Sequence, residues 1–318
     1  MSKPFAIGID IGATKLAFAL IDSKGRVIAS MQKPTAPKGN PSAVISDIAS
    51  GIMLLEQKAP GEIRGIGIGT PGQVISEEGI VINAVNLGWG RINLERELNS
   101  LLNLDIPIYL MKDADAALLG EYTFGAARGI SDLLYVCIGS GLGGAFMVNH
   151  SLVPGSNGTA AGIGHMMLNP NGRVCSCGLK GCAETIVSGP GLVMETEELA
   201  AHKGLPTTLR ENIELNPYII LEAARHGDLL AQQAFSNLSH GFGLVISYCI
   251  SILNPSMIVV GGGLALAAYD IILPQALDEM RKHALPHTYQ ELQILPSKLP
   301  NSAIGPASLV WYFDKNSV

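Results

Sequence analysis

Phe5-Ala6-Ile7-Gly8-Ile9-Asp10-Ile11-Gly12-Ala13-Thr14-Lys15-Leu16-Ala17-Phe18-Ala19-Leu20-Ile21-Asp22 is an apolar run interrupted once, at a glycine-centred turn. Residues 4–11 read as a strand ended by Gly12, and 15–22 read as its return, closed by a turn from Asp22 to Gly25. The pattern comes back about 130 residues later. Leu133 to Gly139 is apolar, Gly139-Ser140-Gly141-Leu142-Gly143-Gly144 is the turn, and Ala145 to Asn149 is the next strand. The spacing is too long for a solenoid repeat and points to two duplicated α/β halves facing a cleft.

Working outward, residues 26–32 predict a third strand. The apolar spacing from Ser42 to Lys58 predicts a helix stopped by Pro60-Gly61. Arg64 to Gly69 reads as a buried strand, 91–103 as a helix, 107–111 as a strand and 114–125 as an alanine-rich helix. Beyond the second turn, helices are predicted over about 188–203, 217–226 and 228–252. Strand 256–260, Gly261-Gly262-Gly263, helix 266–284, strand 291–295 and a final apolar helix over 302–313 follow.

Of the 318 residues, 47% are hydrophobic and 15% charged, a globular composition with ample core. A formal charge of -6 gives no basic surface field and argues against nucleic-acid binding as the main role. No uninterrupted apolar run reaches the roughly 18 residues of a membrane span. The start, Met1 to Asp10, lacks a charged leader followed by an apolar stretch and cleavage site, so a cytoplasmic protein is expected.

Chemistry concentrates at the turns. At the first, Gly12 lets backbone N–H groups face outward, Thr14 adds a hydroxyl and Lys15 a positive charge. These can hold phosphate oxygens while Asp10 orders a magnesium ion or its waters. No Gly-Lys-Ser/Thr tail follows, so this is not a Walker loop; an ordinary tight hairpin would also use Asp and Gly. The second turn, with Gly139, Ser140, Gly141, Gly143 and Gly144, carries no charged side chain and offers backbone donors. Gly261, Gly262 and Gly263 would let a base or phosphate approach closely. Asp113, between strand 107–111 and helix 114–125, can accept a proton from a hydroxyl that attacks phosphorus, or can simply cap the helix.

His165, Cys175, Cys177 and Cys182 supply one imidazole and three thiols, the ligand set of a closed tetrahedral zinc site. Four ligands leave no open position, so the metal would be a structural clip. A disulfide with spare thiols, or small buried apolar residues, are the alternatives. Cys137 and Cys249 lie in apolar runs and read as inert core residues.

Together these pieces resemble the ROK family, most specifically in the zinc stretch and in Gly139–Gly144 followed by Pro154-Gly155 and Asn157-Gly158. The resemblance spans nearly the whole chain. It implies an α/β, actin/hexokinase-like (ribonuclease H-like) duplicated fold with two domains around a cleft. The small domain would hold 1–112 plus about 300–318, and the large one 113–299 with the zinc loop 164–184. It implies an ATP-, magnesium- and zinc-containing kinase that phosphorylates a hexose hydroxyl, with 6-OH of glucose as default, and it implies a homodimer. Asp113 would be the base. Asp10, Gly12, Thr14 and Lys15, with Gly139 to Gly144, would serve the ATP phosphates, and Gly261 to Gly263 would lie near adenosine. Asn86, Trp89, Lys112, His165 and Glu184 would face the sugar. Members of the regulator branch carry an N-terminal helix-turn-helix, for which a chain beginning at the Asp10 strand leaves no room.

Two departures bear on substrate. Lys112-Asp113-Ala114-Asp115 stands where the family usually has Asn-Asp-Ala-Asn, and Gly162 stands where a glutamate usually grips the sugar. A missing charged hydrogen bond would cost about 1.5–3 kcal/mol of binding. The readings are a bulkier or N-acylated hexose, an anionic sugar drawn by Lys112 and Asp115, or a non-catalytic sugar-binding regulator.

Overall fold

The computed structural model describes residues 4–102, 106–202, 204–209 and 214–315. The expected ends of two helices, at 103 and 203, and the outermost residues of the expected small domain, 1–3 and 316–318, lie outside the described residues. In chain order the elements begin β1 (Phe5–Ile11), β2 (Lys15–Asp22), β3 (Val27–Pro34), α1 (Pro41–Glu56), β4 (Ile63–Thr70), β5 (Gln73–Ile75), β6 (Ile80–Ala84), β7 (Trp89–Asn93), α2 (Leu94–Leu101), β8 (Ile108–Lys112) and α3 (Asp113–Thr123). They continue β9 (Leu133–Ile138), β10 (Leu142–Val148), β11 (Ser151–Leu152), α4 (Gly189–Ala201), α5 (Pro217–Arg225), α6 (Leu229–Leu253), β12 (Met257–Gly261), α7 (Gly263–Ala267), α8 (Tyr269–His283), α9 (Pro286–Tyr289), β13 (Gln293–Pro296) and α10 (Ile304–Lys315).

One five-stranded sheet runs β3-β2-β1-β4-β8 and a second runs β11-β10-β9-β12-β13. The duplication expected from the two glycine turns is therefore present as topology. In the first sheet β1 pairs antiparallel with β2 and parallel with β4, and β4 is parallel to β8. In the second, β12 is parallel to both β9 and β13.

Contacts divide the chain into two compact units, residues 1–131 with 145–160 and 297–318, and residues 132–144 with 161–296. The expected break after residue 112 falls inside the first unit, because α3 packs on α10 and on β4.

In the first unit the two-residue period of β1 and β2 builds two cores. Ile7, Ile9, Ile11, Leu16, Phe18 and Leu20 join Ile45, Ile48 and Ile52 of α1. Ala6, Ala17, Ala19 and Ile21 meet Ala303, Ile304, Ala307 and Val310 of α10. Small residues let α10 lie directly on the sheet. A methyl group at Gly8 would run into Ala303 O and come within 2.7 Å of Ala307 Cβ, and one at Gly67 would strike Pro306 O. The same alternation puts Asp10 on the α10 face of β1.

A three-stranded sheet, β5-β6-β7, was not expected. β7 occupies the start of the predicted helix 91–103. Asn93 ends the strand and caps α2, its side chain accepting from Arg96 N at 2.9 Å. The predicted helix 266–284 is two helices, α7 and α8, separated at Ala268.

In the second unit α6 is 25 residues long and apolar enough to cross a membrane by length and composition. Its buried residues, including Phe235, Phe242, Val245 and Ile250, pack it within the unit, mainly on α8. Cys249 of α6 is buried, which pushes its thiol up to about 12 and keeps it protonated. Cys137, expected as an inert core residue, is half-buried.

Candidate functional site

In the first unit the carboxyl ends of three parallel strands lie in register. Asp10 of β1 stands opposite Gly69 of β4, and Gly69 stands opposite Met111 of β8. The edge beyond the carboxyl ends of parallel strands is where α/β sheets bind ligands. Asp113 comes two residues after Met111, in the first turn of α3, and one carboxylate oxygen accepts from Ala114 N at 2.7 Å. A methyl group at Gly69 would lie 2.9 Å from Pro306 Cγ of α10 and at ordinary contact distance, 3.6 Å, from Asp113 Cα, so it is α10 that glycine there admits.

Burial pushes the Asp113 carboxyl up to about 6, with the neighbouring Asp10 charge adding; the Ala114 N–H and Lys112 oppose this, and Asp115 adds a smaller push upward. Burial also raises Asp10, against a hydrogen bond from the Ser302 hydroxyl and the charge of Lys15. Two buried carboxylates, both raised by burial and one of them raised further by the other's charge, suit a cation or a proton in transit. The turn beside them is pinned on both sides. Gly12 N donates to Lys15 O at 3.0 Å, Thr35 N donates to Thr14 O at 3.1 Å, and Thr35 Oγ1 donates to Gly12 O at 2.7 Å. Thr14 and Lys15 are exposed at its tip.

Lys112 does not stand free. Its Nζ donates to Ala160 O at 2.8 Å and pairs with Asp115 Oδ1 at 3.3 Å. Asp115 is buried, which lifts its carboxyl to about 6 despite the pull of Lys112. Asn86 is exposed on a short turn over Val85–Leu87. Trp89 is 4% exposed within the core, with its Nε1 buried and making no hydrogen bond among the described residues. A sugar-lining position was expected for Trp89; its indole packs among the apolar side chains of this core.

In the second unit the glycine turn is shorter than expected. Gly139 N donates to Gly141 O at 3.0 Å, and β10 already begins at Leu142. Gly143 and Gly144 are therefore strand residues, and Gly144 faces Ile163, whose Cδ1 would be 2.6 Å from an added methyl group. The two glycine clusters adjoin. A methyl group at Gly139 would be 4.0 Å from Gly263 N, and Gly262, at φ 90, lies so close to Ile138 that no side chain fits. Gly189 N, opening α4, donates to Gly139 O at 2.8 Å. The hydroxyl of exposed Tyr218 would be 3.1 Å from a methyl group at Gly263. Tyr218 was not singled out from the sequence, and an isolated surface tyrosine gives no signal there.

The structure also gathers the metal-type ligands. Donor atoms of His165, Cys175, Cys177 and Cys182 all lie within 4.8 Å of one another. His165 Nδ1 is 3.9 Å from Cys175 Sγ, and Cys177 Sγ is 3.7 Å from Cys182 Sγ. A tetrahedron with metal–sulfur bonds of about 2.3 Å has sulfur–sulfur edges of about 3.8 Å, which these spacings fit. A disulfide needs about 2.05 Å, and all five cysteines are free. Burial and then the Cys177 and Cys175 sulfurs push the Cys182 thiol up to about 12. A cation among the sulfurs would favour their thiolate forms.

Arg173, also unremarked in the sequence, fixes the loop. It donates to Thr185 O at 2.8 Å and to Glu198 at 2.7 and 2.8 Å, and pairs with Glu195 at 2.5 Å. Glu184 Oε2 accepts from Leu142 N at 2.9 Å, while Oε1 lies 4.0 Å from Cys175 Sγ.

A duplicated five-stranded plan with a carboxylate at the parallel edge and glycine turns after buried strands defines the actin/hexokinase-like class, and solved kinases share it. The chain belongs to the ROK family, which it matches over residues 6–311. It is 30% identical to a glucokinase of Halalkalibacterium halodurans, over 98% of this chain and 96% of that one. It is also 30% identical to the xylose repressor of Caldicellulosiruptor bescii, over 94% of this chain and 75% of that one. Among solved structures, a ROK family glucokinase from Streptomyces griseus in complex with glucose and AMPPNP superposes with a TM-score of 0.83 at 28% identity, over 96% of this chain and 98% of that one.

Proposed function

We propose that this protein is an ATP-dependent sugar kinase that transfers the γ-phosphoryl group to a hexose hydroxyl, with the 6-OH of glucose as first candidate. The observation that carries the reading is the Asp113 carboxylate, held at the edge of the parallel strands beside Asp10 with a pKa of about 6. A base with that pKa is mostly ionised at neutral pH and still able to take a proton. Asp113 would accept the hydroxyl proton as the sugar oxygen attacks phosphorus. Thr14 and Lys15 would hold phosphate oxygens in the first unit, and the backbone of the Gly139–Gly141 turn offers N–H donors to a nucleotide in the second. Asp10 is the carboxylate suited to magnesium, which would spread the phosphate charge when bound. His165, Cys175, Cys177 and Cys182 would hold a structural zinc that keeps the loop in place.

Lys112 spends its charge on Asp115 and Ala160 O, which favours a neutral hexose over an anionic sugar. Gly162, with no side chain of its own, is compatible with an N-acylated one. Likeness to the xylose repressor supports a second reading, a sugar-responsive binding protein without turnover. Coupled ADP release over a panel of hexoses, hexosamines and sugar acids separates the two. A neutral hexose should stimulate release; sugar binding with no stimulated release would overturn the kinase assignment.

A further inference from the structure

Leu142 opens β10 immediately after the Gly139–Gly141 turn; the metal loop bonds its amide and packs against its carbonyl. Its amide donates to Glu184 Oε2 at 2.9 Å. On its carbonyl side Gly164, next to the ligand His165, lies so close that a methyl group there would strike Leu142 O. A methyl group at Gly141 would lie 2.5 Å from Glu184 Oε2, so the turn is seated directly on this carboxylate.

Glu184 is itself rigidly placed. It sits in a 3-10 turn over Ala183–Thr185, directly after the ligand Cys182. Ala183 N donates to Met166 O at 2.8 Å, Thr185 N to Cys182 O at 3.0 Å and Thr185 Oγ1 to Cys182 O at 2.7 Å. Arg173 holds Thr185 O at 2.8 Å. A carboxylate accepting a backbone N–H makes a charge-assisted bond of the stronger kind.

We propose that Glu184 is a positioning residue that transmits the order of the metal loop to the nucleotide-facing turn, so that metal occupancy sets how well the Gly139–Gly141 backbone is presented to a nucleotide. This deepens the kinase reading and rests on it for the nucleotide. The brace itself does not depend on that reading.

Two measurements test it. Hydrogen exchange of the peptide containing Leu142, without nucleotide, reports the brace. Glu184→Ala should speed that exchange roughly ten- to a hundredfold, as loss of one charge-assisted hydrogen bond predicts. Glu184→Gln, which keeps an acceptor oxygen, should recover most of the protection. Stripping the metal with phenanthroline should speed exchange in wild type and add little in Glu184→Ala. Calorimetric binding of magnesium-ADP to the metal-loaded proteins reports the consequence, with a dissociation constant raised by a similar factor in Glu184→Ala. Unchanged exchange at Leu142 in Glu184→Ala overturns the brace. Altered exchange with unchanged magnesium-ADP affinity overturns the link to the nucleotide. A wild-type protein that shows the exchange effect and binds no nucleotide overturns the kinase reading and leaves the brace standing.

Discussion

Asp113→Asn is expected to abolish turnover and to stabilise the fold at neutral pH. The carboxyl is held at about 6 against an ordinary 3.8, first by burial and then by the Asp10 charge. A folded-state pKa raised in this way means that the native protein binds the proton more tightly than the unfolded chain. Stability is therefore fullest below the ordinary value, falls as pH rises from 3.8 to about 6, and stays lowered above that. A gap of about two pH units at 1.36 kcal/mol each sets an upper bound near 3 kcal/mol. The side chain keeps some contact with solvent, which screens the effect, and about 1 kcal/mol is expected. In domains of this size that is about 2–4 °C in Tm. Asparagine removes the charge and keeps an oxygen for Ala114 N.

Scanning calorimetry at pH 7.5 should show the gain, and at pH 4 the two proteins should melt together. In wild type, kcat/KM should fall about tenfold per pH unit below about 6, as the base is protonated. Asp10→Asn should move that acid limb to lower pH by removing a repelling charge. An Asp113→Asn protein that melts below wild type at pH 7.5, or that keeps its turnover, refutes the assignment of a buried base.

Elemental analysis should find about one zinc per chain, lost in Cys175→Ser or Cys182→Ser and retained in Cys249→Ser. Glu279 is held below the usual carboxylate range, first by Lys282, with His283 and His240 also facing it. Glu279→Gln should cost about 1–2 kcal/mol at pH 6, and the loss seen by chemical denaturation should shrink as pH falls below the ordinary glutamate value. Gly67→Ala should destabilise by about 1–3 kcal/mol or more, because its methyl group meets the Pro306 carbonyl; an unchanged denaturation midpoint would mean that α10 can move away.

Period-two alternation made the β1–β2 hairpin legible, and cysteine spacing made the metal loop legible, because both signals are local. The β5-β6-β7 sheet was hidden because its strands are short and their pairing rests on tight turns, such as Gly79 at φ 65 and Gly88 at φ 71. Asp10 and Asp113 were readable as strand-end carboxylates, but the push of Asp10 on Asp113 depends on the register of β1, β4 and β8. An anionic sugar stood among the readings because the charge of Lys112 was visible and Ala160 O was not. Backbone partners at long sequence separation, such as Leu142 N for Glu184, leave no mark on side-chain chemistry.

The seat of α10 on Gly8 and Gly67 also orders events at the ribosome. The strands β1 and β2 are made well before α10, the helix that covers their alanine face. At roughly 5–20 residues per second, the half-built sheet waits on the order of ten seconds or longer for its lid. During that wait an apolar flank is bare, so newly made chains would depend on chaperones more than the finished protein does.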